Sequence, residues 1–406
     1  MLFTYRFTIL YCLWAMTMAS CGEGHTPKLV RQPYLQSAIA DSVSVLWRTD
    51  VGKGCEVRYR TVGVTRWLTA KGVVRVANTG LIANEVTLTG LDHAQVYEYQ
   101  VLTDGIEPAA SKMYRFRAPL SRADTAFTFF AVGDVGEPVA DDGTPDVLGK
   151  ALALQKDQFH FGLFLGDIIY PDGQSEDYDK NLFPYFTEVF PYVPVFTVLG
   201  NHDWHEPQQN YMQEWKLPNN AHYYSFTYGN ACFIALDSKN GEMHEYDTQR
   251  EWLIRELENA REGGTDWLIV FLHHNGKSCT YKEDYEAVVS LYPLFEKYRV
   301  DLVLNGHAHT YERLNPMDGE GQLVPGGLDK AGFTSITIGS GGKLRGIGTD
   351  PGPFTPDPDN CRYPGLVAKS VHDWAYAKFH INGKKLVGQA ITTKEHEVVD
   401  TFELVK

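Results

Sequence analysis

Five short segments of this chain place acidic, amide or imidazole side chains directly after apolar runs of strand length. The runs occupy 127–132, 159–165, 193–199, 267–272 and 300–304. The segments that follow them are Gly133-Asp134, Gly166-Asp167, Gly200-Asn201-His202-Asp203, His273-His274 and Gly306-His307-Ala308-His309. Ligands of open α/β sheets bind at the carboxyl ends of the strands, so we expect these five segments to converge on one crevice. Glycine before a ligand residue lets the backbone turn sharply and approach closely.

The residue types in these segments are those that bind metal ions in proteins. Any one segment is weak evidence for a metal site, because a Gly-Asp pair is common after a strand and a lone histidine is more often a hydrogen-bonded structural residue than a ligand. The ordered set of Asp, Asp, Asn-His, His and His-x-His at successive strand ends is far more specific. The sequence therefore predicts a metal centre assembled from several loops.

The rest of the chain shows two different patterns of apolar residues. Alternating segments at 43–48, 55–60, 85–89 and 96–101 predict half-buried antiparallel strands, and thus a β-sandwich of fibronectin type III kind. After Pro119, apolar runs alternate with longer stretches, which is typical of α/β layering. Further strands are expected at 232–236 and 335–338, amphipathic helices at 248–262 and 285–298, and a surface loop at 346–364. No titratable cluster occurs in the sandwich, which favours a packing or spacer role.

Residues 1–20 have the order of a secretory signal, with one arginine, a short apolar run and then small residues. The run is too short for a membrane-spanning helix. Met18-Ala19-Ser20-Cys21 is similar to a bacterial lipobox, in which the cysteine becomes the lipidated first residue. The alternative is a plain signal peptide with an incidental cysteine. We expect a periplasmic or cell-surface lipoprotein that is secreted across the inner membrane and anchored through Cys21.

Charge and cysteines limit the partners further. The formal net charge of -14 at pH 7 disfavours nucleic acid as a partner, although bound metals would still attract a small phosphate. In an oxidising compartment Cys279 and Cys361, both in polar loops, could pair. Cys232 lies in an apolar run and is expected in the core, whereas Cys55 has no obvious partner.

The motifs GDVG, GDIIY, GNHD, WLIVFLHH and GHAHTYER resemble those of the calcineurin-like metallophosphoesterases, and within them the purple acid phosphatases. The resemblance extends over almost all of the chain after the leader, from RQPYLQ at 31–36 to ITIGSGGK at 336–343. Tyr170, three residues after Asp167, is the feature that separates the purple group from its relatives. The resemblance implies a two-sheet metallophosphoesterase sandwich flanked by helices at 124–406, preceded by an all-β fibronectin type III-like domain at 29–118.

The resemblance also implies two metal sites that share Asp167. The first metal would be bound by Asp134, Asp167, Tyr170 and His309. The second would be bound by Asp167, Asn201, His273 and His307. A phenolate is a hard anionic donor, so the first site should hold Fe(III), with Fe, Zn or Mn in the second. If Tyr170 is only a packed aromatic residue, the enzyme would be a colourless relative with two divalent metals.

The implied activity is hydrolysis of phosphomonoesters of small molecules by attack of metal-bound hydroxide, as in an acid phosphatase. A phosphodiesterase or a pyrophosphate-cleaving enzyme with the same site is an alternative. A surface-displayed binding protein with an inactive phosphoesterase domain is the non-enzyme alternative.

Further roles come from neighbours of the ligands. His202 would donate a proton to the leaving-group oxygen, or else be structural. Asn201, His205 and His274 are expected to contact substrate, and the choice of His273 over His274 as the ligand depends on the register of the motif. Plant-type members carry a further histidine pair downstream. Lys277 or Lys282 could replace that pair in holding a phosphate, or could simply be solvated, and Arg313 is expected to brace its loop through an ion pair.

Overall fold

The computed structural model describes residues 26–137, 145–204, 209–219, 221–239, 247–325, 332–344 and 361–406. The predicted leader at 1–20, Cys21, His205 and most of the predicted surface loop at 346–364 lie outside these residues. Within the described part of the chain, no helix is long and apolar enough to span a membrane.

Two four-stranded antiparallel sheets form the N-terminal all-β domain. In spatial order, with strands numbered along the chain, the first contains β1 (Leu29–Ile39), β2 (Ser42–Thr49), β6 (Ile82–Leu88) and β5 (Val73–Val76). The second contains β4 (Leu68–Lys71), β3 (Cys55–Thr61), β7 (Val96–Thr103) and β8 (Tyr114–Arg117). The four alternating segments of the sequence overlap β2, β3, β6 and β7, so the predicted all-β domain is confirmed. The backbone amide of Asp92 donates to the hydroxyl of Tyr97 at 2.9 Å, a corner of the kind found in such sandwiches.

Two larger sheets form the second domain. The six-stranded sheet has the order β11 (Val195–Thr197), β10 (Phe161–Phe164), β9 (Ala126–Val132), β19 (Ala375–Asn382), β20 (Lys385–Thr392) and β21 (Val398–Val405). The seven-stranded sheet has the order β12 (Tyr224–Tyr228), β13 (Ala231–Ala235), β14 (Trp267–Phe271), β15 (Leu302–Asn305), β17 (Thr334–Ile338), β16 (Tyr311–Leu314) and β18 (Val367–Val371). Strands β9 to β11 are parallel, as are β13, β14, β15 and β17. Every apolar run singled out in the sequence overlaps one of these strands.

Aromatic side chains fill the space between the two sheets. The ring of Phe129 on β9 stacks on those of Phe161 and Phe379 at 5.2 and 4.9 Å. It also meets the edge of Phe233, from the opposite sheet, at 5.2 Å. Such ring pairs add to the free energy gained from burial alone, so this layer fixes how the two sheets face each other.

In the parts of the chain that the structure describes, six α-helices flank these sheets. They are α1 (Pro145–Ala153), α2 (Ser175–Asn181), α3 (Gln209–Glu214), α4 (Thr248–Glu262), α5 (Glu286–Val289) and α6 (Tyr292–Lys297). Helix α4 agrees with the prediction and begins at an Asp247 cap, whose carboxylate accepts from the Arg250 amide at 2.9 Å. The single helix predicted at 285–298 is wrong, because the chain forms α5 and α6 there. Pro293 lacks an amide hydrogen, and its ring would clash with a preceding helical turn, so it is accommodated in the first turn of a new helix rather than in the interior of one.

A buried ion-pair cluster joins the two domains. Arg31 pairs with Asp179 at 2.6 Å and with Glu214, and Arg48 pairs with Glu214 at 2.6 Å and with Asp179 at 3.2 Å. Arg31, Arg48 and Glu214 are almost fully buried. The cluster ties β1 and β2 of the sandwich to α2 and α3, and sequence reasoning did not identify it.

Candidate metal centre

The carboxyl ends of parallel strands from both sheets meet at one edge of the second domain. Loops after β9, β10 and β11 come from the six-stranded sheet, and loops after β14 and β15 come from the seven-stranded sheet. They carry the predicted ligands Asp134, Asp167, Tyr170, Asn201, His273, His307 and His309. The expected crevice therefore exists, and it lies where the two sheets come together.

One group of atoms surrounds the hydroxyl of Tyr170. This hydroxyl lies 3.0 Å from Oδ1 of Asp134 and 3.1 Å from Oδ2 of Asp167. Nε2 of His309 lies 3.3 Å from Oδ1 of Asp134. These four side chains are the set predicted for the first metal, and these contacts link them into one group.

A second group of side chains also converges on Asp167. Nε2 of His273 is 3.3 Å from Oδ2 of Asp167 and 3.2 Å from Oδ1 of Asn201. One ligand atom from each of Asp167, His273 and His307 falls within 4.8 Å of the others. The set predicted for the second metal is thus also assembled, with Asp167 common to both groups.

The orientation of the His273 ring favours it over His274 as a ligand. Nδ1 of His273 lies 2.8 Å from the carbonyl oxygen of Leu165, which can only accept, so Nδ1 carries the hydrogen and Nε2 faces the carboxylates. Nδ1 of His274 instead bonds to the hydroxyl of Ser238 at 2.8 Å, and its ring stacks on Tyr285 at 4.3 Å. His274 is buried, with its ring 4.5 Å from that of His307, and its role in substrate binding stays a prediction.

Close backbone approach explains the glycines of the motifs. A Cβ on Gly200 would lie 2.1 Å from the amide nitrogen of Asp167, and one on Gly306 would lie 2.5 Å from Oδ2 of Asp134. Two predicted ligand residues themselves adopt the left-handed backbone conformation, with φ of 58° at Asp134 and 48° at Asp167. Such conformations cost about 1 kcal/mol or more and cluster at functional sites.

Sequence reasoning assigned no role to Asp203, which joins two of the loops. Its buried carboxylate accepts from the amides of Gly200 at 2.9 Å, Ile168 at 3.1 Å and Ile169 at 3.4 Å. Burial raises the pKa of Asp203 to about 7, and the nearby charge of Asp167 contributes to this. Its position in the GNHD motif was the one feature of the sequence that could have pointed to this role. Asp203 holds the Asp167 and Asn201 loops together from beneath.

The electrostatics of the centre show an excess of acidic groups. Burial raises the pKa of the Tyr170 phenol well above 10, and the charges of Asp134 and Asp167 raise it further. Burial opposes ionisation of Asp167, but the positive charge of His273 holds the pKa of that carboxyl well below its usual range. Two carboxylates and a phenol converge with imidazoles as their only basic neighbours among these ligand sets. Hard oxygen donors with imidazoles suit a trivalent ion beside a divalent one, so the residues fit the implied metals.

His202 lies at the partly exposed rim of the centre. Its amide donates to Oδ1 of Asp167 at 2.8 Å, and its ring centroid is 4.5 Å from that of Tyr170. Nδ1 lies 2.5 Å from the carbonyl oxygen of Pro171, which can only accept, so Nδ1 carries a hydrogen. The ring is therefore held at the mouth of the site by its backbone and by one ring nitrogen.

The lysines considered for phosphate binding differ in their surroundings. Nζ of Lys277 donates to the carbonyls of Glu320 and Gly321 at 3.2 and 3.0 Å, so this side chain is committed to its loop. Burial lowers the pKa of His274 to about 3, and the positive charges of Lys282 and Lys239 contribute to the shift. Lys282 and Lys239 are therefore close enough to affect the charge state of His274.

A disulfide ties down the loop beside His309. Cys279 and Cys361 are joined, as hypothesised from the sequence, with their Cα atoms 5.0 Å apart. Two residues further on, the hydroxyl of Tyr281 accepts from the His309 amide at 3.2 Å. Cys232 is buried as a free thiol in the core, as predicted, and Cys55 is also free and buried. The predicted ion pair of Arg313 is likewise present, with Asp400 at 2.7 Å.

Comparison with known proteins agrees with this centre. Residues 127–311 match the calcineurin-like phosphoesterase family, and residues 30–118 match the purple acid phosphatase N-terminal domain. The chain belongs to the purple acid phosphatase family. Proteins of this family are metal-dependent phosphoric ester hydrolases, so the predicted family, fold and enzyme class are confirmed.

Individual purple acid phosphatases show how far the similarity extends. A purple acid phosphatase of Glycine max is 28% identical over 343 residues, which cover 77% of this chain and 72% of the relative. The Fe(3+)-Zn(2+) purple acid phosphatase 12 of Arabidopsis thaliana is 28% identical over 285 residues, covering 63% of this chain but 58% of that protein. The structure of a purple acid phosphatase from yellow lupin (Lupinus luteus) seeds superposes with a TM-score of 0.77 at 18% identity, covering 92% of this chain and 74% of the lupin chain. That structure shares the fold.

Proposed function

We propose that the protein is an acid phosphatase that hydrolyses phosphomonoesters of small molecules with one Fe(III) ion and one divalent Fe, Zn or Mn ion. The observation that carries the proposal is the hydroxyl of Tyr170 within 3.1 Å of carboxylates of both Asp134 and Asp167. A phenol in that position is suited to bind as a phenolate, which favours a trivalent metal.

The two metal sites use the groups of atoms described above. Asp134, Asp167, Tyr170 and His309 would hold Fe(III). Asp167, Asn201, His273 and His307 would hold the divalent ion. The name of the Arabidopsis relative gives an Fe(III) and Zn(II) pair for that protein, which supports the same pairing here. When bound, the two cations supply a nucleophile from water and the positive charge that draws a phosphate group.

His202 would act on the leaving group. Its Nδ1 is occupied by the carbonyl oxygen of Pro171, so the proton that a doubly protonated ring can give up resides on Nε2. Two hydrogen bonds fix the ring beside Tyr170, one from Nδ1 to the carbonyl oxygen of Pro171 and one from the His202 backbone amide to Asp167. We assign His202 the donation of that proton to the departing alcohol oxygen.

Substrate contacts would come from the rim of the site. The side-chain amide oxygen of Asn201 contacts His273 of the second metal set. Nζ of Lys239 lies 3.5 Å from the backbone carbonyl oxygen of Asn201. The positive charge of Lys282 helps to lower the pKa of both His274 and His307, and that of Lys239 helps to lower the pKa of His274. We propose that these two lysines, rather than Lys277, steady the non-bridging oxygens of a phosphate dianion. Direct substrate contacts by His274 and His205 stay predictions.

Turnover of two chromogenic esters tests the substrate class. A phosphomonoester carries two negative charges and suits this cationic rim better than a singly charged diester. We therefore expect faster hydrolysis of nitrophenyl phosphate than of bis(nitrophenyl) phosphate, with a larger advantage in wild type than in Lys239→Met/Lys282→Met. Preference for the diester by the metal-loaded wild type would make the protein a phosphodiesterase instead.

We further propose that the protein is secreted as a lipoprotein anchored through Cys21. The order of residues 1–20 and the lipobox-like MASC segment support this. The disulfide between Cys279 and Cys361 also fits an oxidising compartment. Labelled palmitate should be incorporated into the wild type but not into Cys21→Ala, and label in neither protein would contradict the anchor.

A further inference from the structure

Lys343 places a positive charge directly over the ring of Tyr170. Its Nζ lies 4.0 Å from the centroid of that ring and 3.1 Å from Oε2 of Glu137. The side chains of Lys343 and Glu137 are 13% and 7% exposed. A nearly buried ion pair thus rests against a predicted iron ligand, and neither of its members belongs to either metal set.

The backbone holds Lys343 in this position. It follows the GSGG turn after β17, where the Gly342 amide donates to the carbonyl oxygen of Asp134 at 2.9 Å. A Cβ on Gly342 would lie 1.7 Å from the carbonyl oxygen of Val135, so the two loops touch without room for a side chain. The loop that bears Asp134 therefore also determines where the Lys343 side chain begins.

We propose that Lys343 is a positioning residue that tunes how strongly Tyr170 donates electrons to the iron, with Glu137 as its counter-charge. The proposal rests on the proposed function, in which Tyr170 binds Fe(III). A cation over an aromatic face is attracted to the ring electrons, and the attraction strengthens when both groups are shielded from water. The attraction is stronger still for a phenolate, which carries a full negative charge.

The position of Lys343 predicts the direction in which it shifts the visible absorption band of the protein. The visible band of an iron phenolate arises when an electron moves from the ring to the metal. A positive charge over the ring lowers the energy of the electrons that must leave, so it raises the energy of the band. Lys343 should therefore keep the band at shorter wavelength, and Glu137 should moderate that effect.

Visible spectra of purified, iron-loaded variants test the proposal. For Lys343→Met we expect the band to move to longer wavelength by about 10 to 20 nm, the shift that a cation–π contact of ordinary strength would make. Lys343→Arg should restore the wild-type position, because it retains the charge. Glu137→Gln should move the band to shorter wavelength, because it leaves the lysine without its counter-charge. Opposite signs from the two partners of one ion pair are not expected of a purely structural role.

The chain offers a matched control. Nζ of Lys156 also lies 4.0 Å from the centroid of a tyrosine ring, that of Tyr192, and pairs with Glu188 at 2.9 Å. Lys156→Met removes a contact of the same length from a tyrosine that is not a predicted ligand. The band should not move in this variant.

The outcomes separate this inference from the function on which it rests. A coloured wild type whose band is unmoved in Lys343→Met and Glu137→Gln would overturn the role of Lys343 and leave the iron site standing. If Lys343→Met fails to fold, the sign of the Glu137→Gln shift decides, and a shift to longer wavelength overturns the proposal. A colourless, iron-free wild type would overturn the proposed function and this inference together.

Discussion

Two buried clusters of charged groups differ in whether the chain itself can balance them. Between the domains, Arg31 and Arg48 meet Asp179 and Glu214, so two positive side chains face two negative ones. At the sheet edge, the predicted metal ligands bring two carboxylates and the Tyr170 phenol together with imidazoles and one amide, and this set contains no lysine or arginine. The first cluster is complete without any further ion. The second is arranged to receive cations.

The difference separates structural from functional burial of charge. A buried ion pair costs desolvation that its partners largely offset, so it adds little to net stability but is costly to break. Acidic groups that converge without such partners are concentrated at functional sites, where a bound cation can balance their charge. The arginine cluster therefore fixes how the sandwich sits on the phosphoesterase domain, and the acidic cluster identifies the site of chemistry.

Removing the shared carboxylate should have the largest effect. Asp167→Asn weakens both metal sites at once, so we expect loss of both metals and a fall in phosphatase turnover of more than about 100-fold. Metal analysis of the purified variant beside turnover of nitrophenyl phosphate measures both. Retention of two metals with near wild-type turnover would mean that Asp167 does not bridge them.

The opposite behaviour is expected of the arginine cluster. Glu214→Gln leaves Arg31 and Arg48 with a single carboxylate between them, so the free energy of unfolding should fall by about 3–5 kcal/mol. The protein that remains folded should still contain two metals. Urea unfolding and metal analysis check the two parts, and a drop in metal content without loss of stability would reverse the assignments of the clusters.

Glu312 offers a smaller test, because it is a buried carboxylate with neither an arginine bonded to it nor a place in the metal sets. It accepts from the hydroxyl of Ser278 at 2.9 Å and the amide of Cys279 at 3.1 Å. Burial raises its pKa to about 7 despite these hydrogen bonds. A carboxyl group whose pKa is raised on folding contributes stability that is full below its unfolded pKa and is lost as the pH rises through 7.

Glu312→Gln removes this dependence on pH. The stability of the wild type relative to the variant should therefore fall by roughly 3 kcal/mol between pH 4 and pH 8. Urea unfolding of both proteins across this range gives the difference at each pH. A difference that stays constant would show that Glu312 is not held in its protonated form near neutral pH.

The sequence predicted what depends on local pattern. Apolar runs that end in ligand-type residues located the strands and, through their shared sheet edge, the convergence of Asp134, Asp167 and His273. The break at Pro293 was missed because the apolar spacing continues across it. Arg31 and Glu214 are 183 residues apart, and Lys343 meets Tyr170 only through tertiary packing. No periodicity or spacing encodes such pairs, so only the folded structure could show them.

Metal analysis and the visible spectrum of the purified protein, compared with those of Tyr170→Phe, test the central claim most directly. The wild type should contain iron and a second metal and should show a visible charge-transfer band. Tyr170→Phe should lose that band, because the phenolate donor is gone. A colourless wild type that contains Zn or Mn but no iron would contradict the assignment.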